Sequence, residues 1–165
     1  MSGLLERLRR YKDRDDRGMM ANLRCILVEN KKHRAWPALS RIGVPINDGH
    51  AAFIAGLYAT HPEESSTGNF GATCKAIEQK RDMNRGEDSK LTPTERRFQH
   101  LLAAENADEL HSRIRRMILM AKAVGVPVNY AKLETDLKKK EERRKTEWAA
   151  SFWDQSTSFK SEEEI

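Results

Sequence analysis

Cysteine is almost missing from this sequence: Cys25 and Cys74 are the only two in 165 residues. Far apart and unaccompanied, they make neither a disulfide framework nor the paired thiols of a zinc site, and both read as small core residues. The histidines never fall in an H-x-x-x-H or H-E-x-x-H pair, so the helical metal signatures are absent as well. No stretch of about 18 apolar residues could span a bilayer. The opening "MSGLLERLRR" carries charge too early for a secretion signal, and the default location is therefore cytoplasmic. Aromatic residues are 7% of the chain, and no paired runs of period two suggest a sheet.

Charge is what the sequence has in quantity. Charged side chains make up 33% of it, with a net charge of +5 and a pI near 9.3. Such a balance favours a polyanionic partner. Residues 1–34 hold ten Lys plus Arg and five Asp plus Glu, a local +5 equal to that of the whole chain. The cationic excess is thus concentrated at this end.

Helical periodicity runs through most of the chain, and the fold class expected is all-α. In "HSRIRRMILMAK", at about 100° per residue, Leu110, Ile114, Met117, Ile118, Ala121 and Val124 fall on one face. Arg115 and Lys122 flank one side of it, and Arg113 and Arg116 the other. This is the pattern of a packed amphipathic helix with cations at its borders. Upstream, a charged opening helix is interrupted at "DDRG" and resumes with Met20, Leu23, Leu27 and Val28 at helical spacing. Trp36-Pro37 begins a short element, and "HAAFIAGLYAT" is an apolar helix ended by Pro62. "ATCKAIEQKRD" is a short helix, and "MNRGEDSK" a polar linker.

In "LTPTERRFQHLLAAE", Thr92 is placed to cap, Pro93 suits the first helical position and Glu95 completes a capping box. Gly125 suits the end of the arginine-rich helix and Asn129 the next cap. A long final helix is then expected, with Tyr130, Leu133, Leu137, Trp148 and Phe152 on one face and the run Lys138–Lys145 on a solvated one. Residues 154–165 form an acidic tail expected to be disordered.

Little catalytic chemistry is encoded. Asp13, Asp15 and Asp16 lack the ligand pattern of a calcium loop and read as a solvated helix end. "STGNFGATCK" places glycines before a helix but lacks the Gly-Lys-Ser/Thr ending and a preceding strand, so it reads as a turn and cap. Lys75, one turn into that helix, is placed to touch a backbone phosphate without nucleotide chemistry. Met19, Met20, Met117 and Met120 fill core gaps.

"DRGMMANLR", "WPAL", "GLYAT", "FGATCKAI", "ERRFQHLLAAENADELHSRIRRMILMAKAVGVPVNYAKLETDL" and "TEWAASFW" occur in an order and spacing that resemble the CasB family, the small subunit of the type I-E CRISPR surveillance complex Cascade. The resemblance runs from about Asp16 to Phe152 and is densest over residues 95–153. It implies two small helical bundles packed in one elongated chain, divided here as 1–90 and 91–153, with no enzymatic activity and no cofactor. The partners it implies are another copy of the chain, the Cascade backbone and large subunits, the guide CRISPR RNA within the complex, and the target and displaced DNA strands, with no membrane. The family's basic motifs fall on Arg24 in "NLR", Arg96 and Arg97 in "ERRF", and Arg115 and Arg116 in "RIRRM". Together with the flanking Arg113 and Lys122, these cations are expected to face phosphates and stabilise the opened DNA.

Two other classes fit the same composition. A helical DNA-binding regulator would use "GVPVNY" as the turn before a recognition helix. A structural adaptor would use the same bundles without touching nucleic acid.

Overall fold

A computed structural model of the chain describes residues 2–82 and 90–154. The described residues are helical, with no strand: α1 (Ser2–Asp13), α2 (Arg17–Arg24), α3 (Trp36–Arg41), α4 (Gly49–Thr60), α5 (Phe70–Arg81), α6 (Pro93–Leu102), α7 (Ala107–Val124), α8 (Tyr130–Leu137) and α9 (Glu141–Trp153). Among them a single bridge joins Glu64 to Val128 in the parallel sense. Among the described residues no helix is long and apolar enough to cross a membrane. The acidic tail beyond Asp154 and most of the expected linker, residues 83–89, lie outside the described residues.

Helix α4 is the centre of the molecule. Every residue from Ala51 to Thr60 is buried, as an apolar helix surrounded on all sides must be. Helices α1, α2, α7 and α8 and the 3-10 turn Cys25–Leu27 pack around it, while α5 packs on α6, α7 and α9. One contiguous apolar core runs from Leu4 to Phe152 and draws on residues from both sides of the expected division at residue 90.

Start and stop signals act as the sequence predicts. Thr92 Oγ1 accepts from the Glu95 N–H at 3.0 Å, and the Glu95 carboxylate accepts from the Thr92 N–H at 2.9 Å. Gly125 ends α7 in the left-handed region at φ +71°, where glycine carries no Cβ penalty. Asn129 caps α8 through the Lys132 N–H.

Three expectations need correction. Helix α2 stops at Arg24; Cys25–Leu27 tightens into a 3-10 turn and Val28 is extended. The cause is contact with α4, where a Cβ on Gly56 would run into Ile26 and Leu27. Cys25 accordingly is only half-buried, whereas Cys74 is fully buried and burial pushes its thiol pKa well up. The final helix is two helices. Trp148 Nε1 donates to Asp136 Oδ2 at 2.9 Å, yet twelve residues of unbroken helix would rise about 18 Å. The bend at Lys138–Lys140 brings the two together.

That bend also places a buried carboxylate among cations. Asp136 Oδ1 lies 3.2 Å from Lys132 Nζ and 3.1 Å from Lys139 Nζ, within ion-pair distance but without a well-directed hydrogen bond. Lys139 also pairs with Glu147 at 3.1 Å, and its interactions with Glu147 first and then with Asp136 raise its pKa.

Candidate nucleic-acid interface

The cations singled out from the sequence divide into those held by the fold and those left facing solvent. Lys75 belongs to the first group. Its ammonium donates to Glu78 Oε1 at 3.0 Å and lies 5.4 Å from the Phe152 ring centroid. Glu78 in turn accepts from Thr92 Oγ1 at 3.1 Å, and Glu95 from Trp153 Nε1 at 3.0 Å. This chain of contacts joins α5, the start of α6 and the end of α9. Burial alone would raise the Glu95 pKa, but the hydrogen bonds from the Thr92 N–H and the Trp153 indole, with the nearby Lys75 charge, outweigh it and hold the carboxyl low.

Arg113 is held too. Its Nη1 donates to the His100 carbonyl at 2.7 Å and its Nη2 lies 3.5 Å from Glu109. It satisfies a carbonyl in the last turn of α6, a favourable place for a cation.

Arg96, Arg116 and Lys122 are exposed and have no hydrogen-bond or ion-pair partner among the described residues. Arg97 is exposed and donates to Met120 Sδ at 3.3 Å, a weak acceptor. That contact brings α6 against α7 next to Arg116, one helical turn before Met120. Arg97 and Arg116 therefore share an edge.

Arg115 and Lys122 lie around the other side of α7, as the periodicity predicted. One turn before Arg115, the His111 ring stacks on Phe53 of α4 at 3.9 Å. The Arg115 Nε is buried without a hydrogen bond. Arg24, on α2, is exposed and reaches back to the Met20 carbonyl at 3.2 Å. The fold thus offers two cationic edges of α7 and a separate one on α2.

A further exposed group was missed by motif. Trp36 is 45% exposed and meets His33 edge-on at 6.4 Å; Lys31, Arg34 and Arg41 nearby are exposed without partners among the described residues. A flat aromatic face beside unpaired cations is the combination that single-stranded nucleic acid uses. The string "KKHRAW" carries that signal in the sequence.

The recognition-helix alternative has only a narrow face to offer. In α8, Tyr130, Leu133, Glu134, Asp136 and Leu137 are buried, which leaves Ala131, Lys132 and Thr135 outward, and Lys132 is already paired with Asp136 at 3.2 Å, a poor set for reading bases. The expected solvated run 138–145 also holds an exception, because Arg144 is buried. It stands four residues before Trp148 and eight before Phe152, on the apolar face of α9. Its lowered pKa comes from burial, opposed by Glu141 and Asp136.

The family model described as CRISPR-associated protein Cse2 matches residues 5–153. Solved structures share the fold. A CRISPR-associated protein of the Cse2 family from Thermus thermophilus is 20% identical with a TM-score of 0.69, over 91% of this chain and 95% of that one. A structure of CasB from Thermus thermophilus is 18% identical with a TM-score of 0.64 over the same shares. CasB from M. ruber is 18% identical with a TM-score of 0.59, over 87% of this chain and 88% of that one. No curated protein matches the sequence.

Proposed function

The chain belongs to the CRISPR-associated Cse2 family, and from that premise we propose that it is the non-catalytic small subunit of a type I-E CRISPR RNA-guided surveillance complex, Cascade. In this reading it pairs with another copy of itself, sits against the backbone and large subunits and their guide RNA, and works in the cytoplasm. Its task is to hold the target and displaced DNA strands once the guide has opened the duplex.

The observation that carries the reading is the set of exposed, unpartnered cations on α6 and α7: Arg96, Arg116 and Lys122. Arg97 and Arg115 border them, and Arg24 extends the positive surface onto α2. Lys75 and Arg113 hold helices together instead, and their contribution to DNA is indirect. Contacts from such side chains to phosphates are independent of sequence and sensitive to salt. That suits a subunit accepting any DNA its guide selects, because base pairing supplies the specificity.

The test is reconstitution of a guide-loaded complex with and without this chain, followed by dissociation of a target duplex and permanganate reactivity of thymines in the displaced strand. Slower dissociation and protected thymines in its presence are expected. Equal dissociation and equal reactivity would refute the reading. Filter binding with unrelated single-stranded DNA separates it from the structural adaptor, which binds none.

A further inference from the structure

Between the start of α7, the bend before α9 and the start of α4 lies a cavity of about 180 Å³. Its most unusual lining residue is Arg144. The side chain is 8% exposed, and its guanidinium makes no hydrogen bond or ion pair with any described residue. Its guanidinium lies 5.8 Å from the Trp148 ring centroid, and Glu141 and Asp136 act on it only through their charge. None of its nitrogens is sealed from water, so the planar fork of donors keeps access to solvent without a protein acceptor. An anion entering the cavity would supply charge-assisted hydrogen bonds that no described residue makes.

The surroundings fix the charge of that acceptor. His50 and His111 line the cavity, as does Ala107, the first residue of α7. Asn106 caps the Glu109 N–H, leaving the Ala107 and Asp108 N–H groups, which have no partner within the helix, to the positive end of an 18-residue helix. Burial first, then His50, with smaller contributions from Lys32 and Arg144, lowers the His111 pKa against the opposing effect of Asp108. Two carboxylates also reach the lining. Glu141 is paired with Lys145 at 2.7 Å, and Glu105 is exposed. No group of three or more His, Cys, Asp or Glu side chains among the described residues is arranged to hold a metal ion.

We propose that this cavity binds one phosphate group, held between the Arg144 guanidinium, the His50 and His111 rings and the N-terminus of α7. A fork of donors, two imidazoles and the start of a helix line the same cavity, donor types that together suit a tetrahedral oxyanion. The cavity is smaller than those that enclose drug-sized ligands, which suits one phosphate group and not a whole nucleotide. The phosphate is either a nucleic-acid backbone phosphate or a free one. Neither source depends on the role given to the α6 and α7 arginines.

The experiment is a titration of the full chain with inorganic phosphate at constant ionic strength, chloride compensating, followed by backbone amide NMR. Saturable shifts at Ala107 and Asp108 are expected, with affinity falling about tenfold or more in Arg144→Gln, since a charge-assisted hydrogen bond is lost. His50→Gln, an exposed change in the first turn of α4, tests the same site should Arg144→Gln fail to fold, and it too is expected to weaken binding. Unchanged affinity in the folded variants, or shifts spread over the surface cations without saturation, would overturn the proposal. A short single-stranded oligonucleotide then distinguishes the sources. Displacement of phosphate from the Ala107 and Asp108 amides assigns the cavity to backbone phosphate; persistence of the phosphate shifts while the oligonucleotide binds elsewhere assigns it to a free one.

Discussion

Replacing Arg96 and Arg116 together by alanine separates cations that serve DNA from cations that serve the fold. Both are exposed and unpartnered among the described residues, so their loss leaves no buried group unsatisfied and should change folding stability by no more than about 0.5 kcal/mol. If each neutralises one phosphate, the slope of log affinity against log salt should fall by about 1.4 to 1.8, at 0.7 per contact on a single strand and 0.9 on a duplex. Over a fourfold rise in salt, wild type should then lose about tenfold more affinity than the variant. The assay is dissociation of target DNA from the guide-loaded complex across a salt series. Two controls fix the interpretation. Arg143→Ala removes an exposed charge already 3.5 Å from Glu147 and should change the slope little. Arg113→Ala removes the 2.7 Å hydrogen bond to the His100 carbonyl and should cost about 1–2 kcal/mol in stability with little change in slope. A slope reduced by Arg143→Ala or Arg113→Ala but untouched by the double variant would show that exposure and lack of a partner are the wrong criteria for the DNA-facing side chains.

Three further outcomes follow from the packing and electrostatics. Gly71→Ala should destabilise by about 3 kcal/mol, at the upper end for overpacking, because its Cβ would run into the Trp148 backbone; the urea midpoint measures this. Asp136→Ala should cost about 1–3 kcal/mol, since it leaves the buried Trp148 N–H without its acceptor, and an unfolding midpoint equal to wild type would show that the bend does not depend on this carboxylate. Glu95 has a folded pKa below its ordinary 4.5, so its contribution is fully present above about pH 4.5 and is lost as pH falls through the folded value. Glu95→Gln should therefore flatten the acid limb of a stability-against-pH curve while leaving the curve's slope near neutrality unchanged.

Local signals in the chain were enough for the helix class, the caps at Thr92, Asn129 and Gly125 and the core face of α7. Each depends on neighbours within a turn or two, and hydrogen-bond geometry at that range follows from residue type. The wheel likewise placed Arg113 and Arg116 on one side of α7 and Arg115 and Lys122 on the other. It was silent on which of them stay available. Arg113 is claimed by the end of α6, and Lys75 by a carboxylate on its own helix and an aromatic ring on α9.

The tertiary structure decided the matters that depend on distant partners. A polar run with excellent helix formers at Lys138–Lys145 reads as continuous helix, yet the indole of Trp148 reaches Asp136 only if the chain bends. Arg144 sits in that run as one charge among eight residues, and only the apolar spacing to Trp148 and Phe152 hints that it points inward. Periodicity records which face of a helix is apolar. Whether a cation on or beside that face meets a carboxylate, a carbonyl or an open cavity depends on what another segment brings to it, and the free energy of a charge is set by those groups and by its exposure to water.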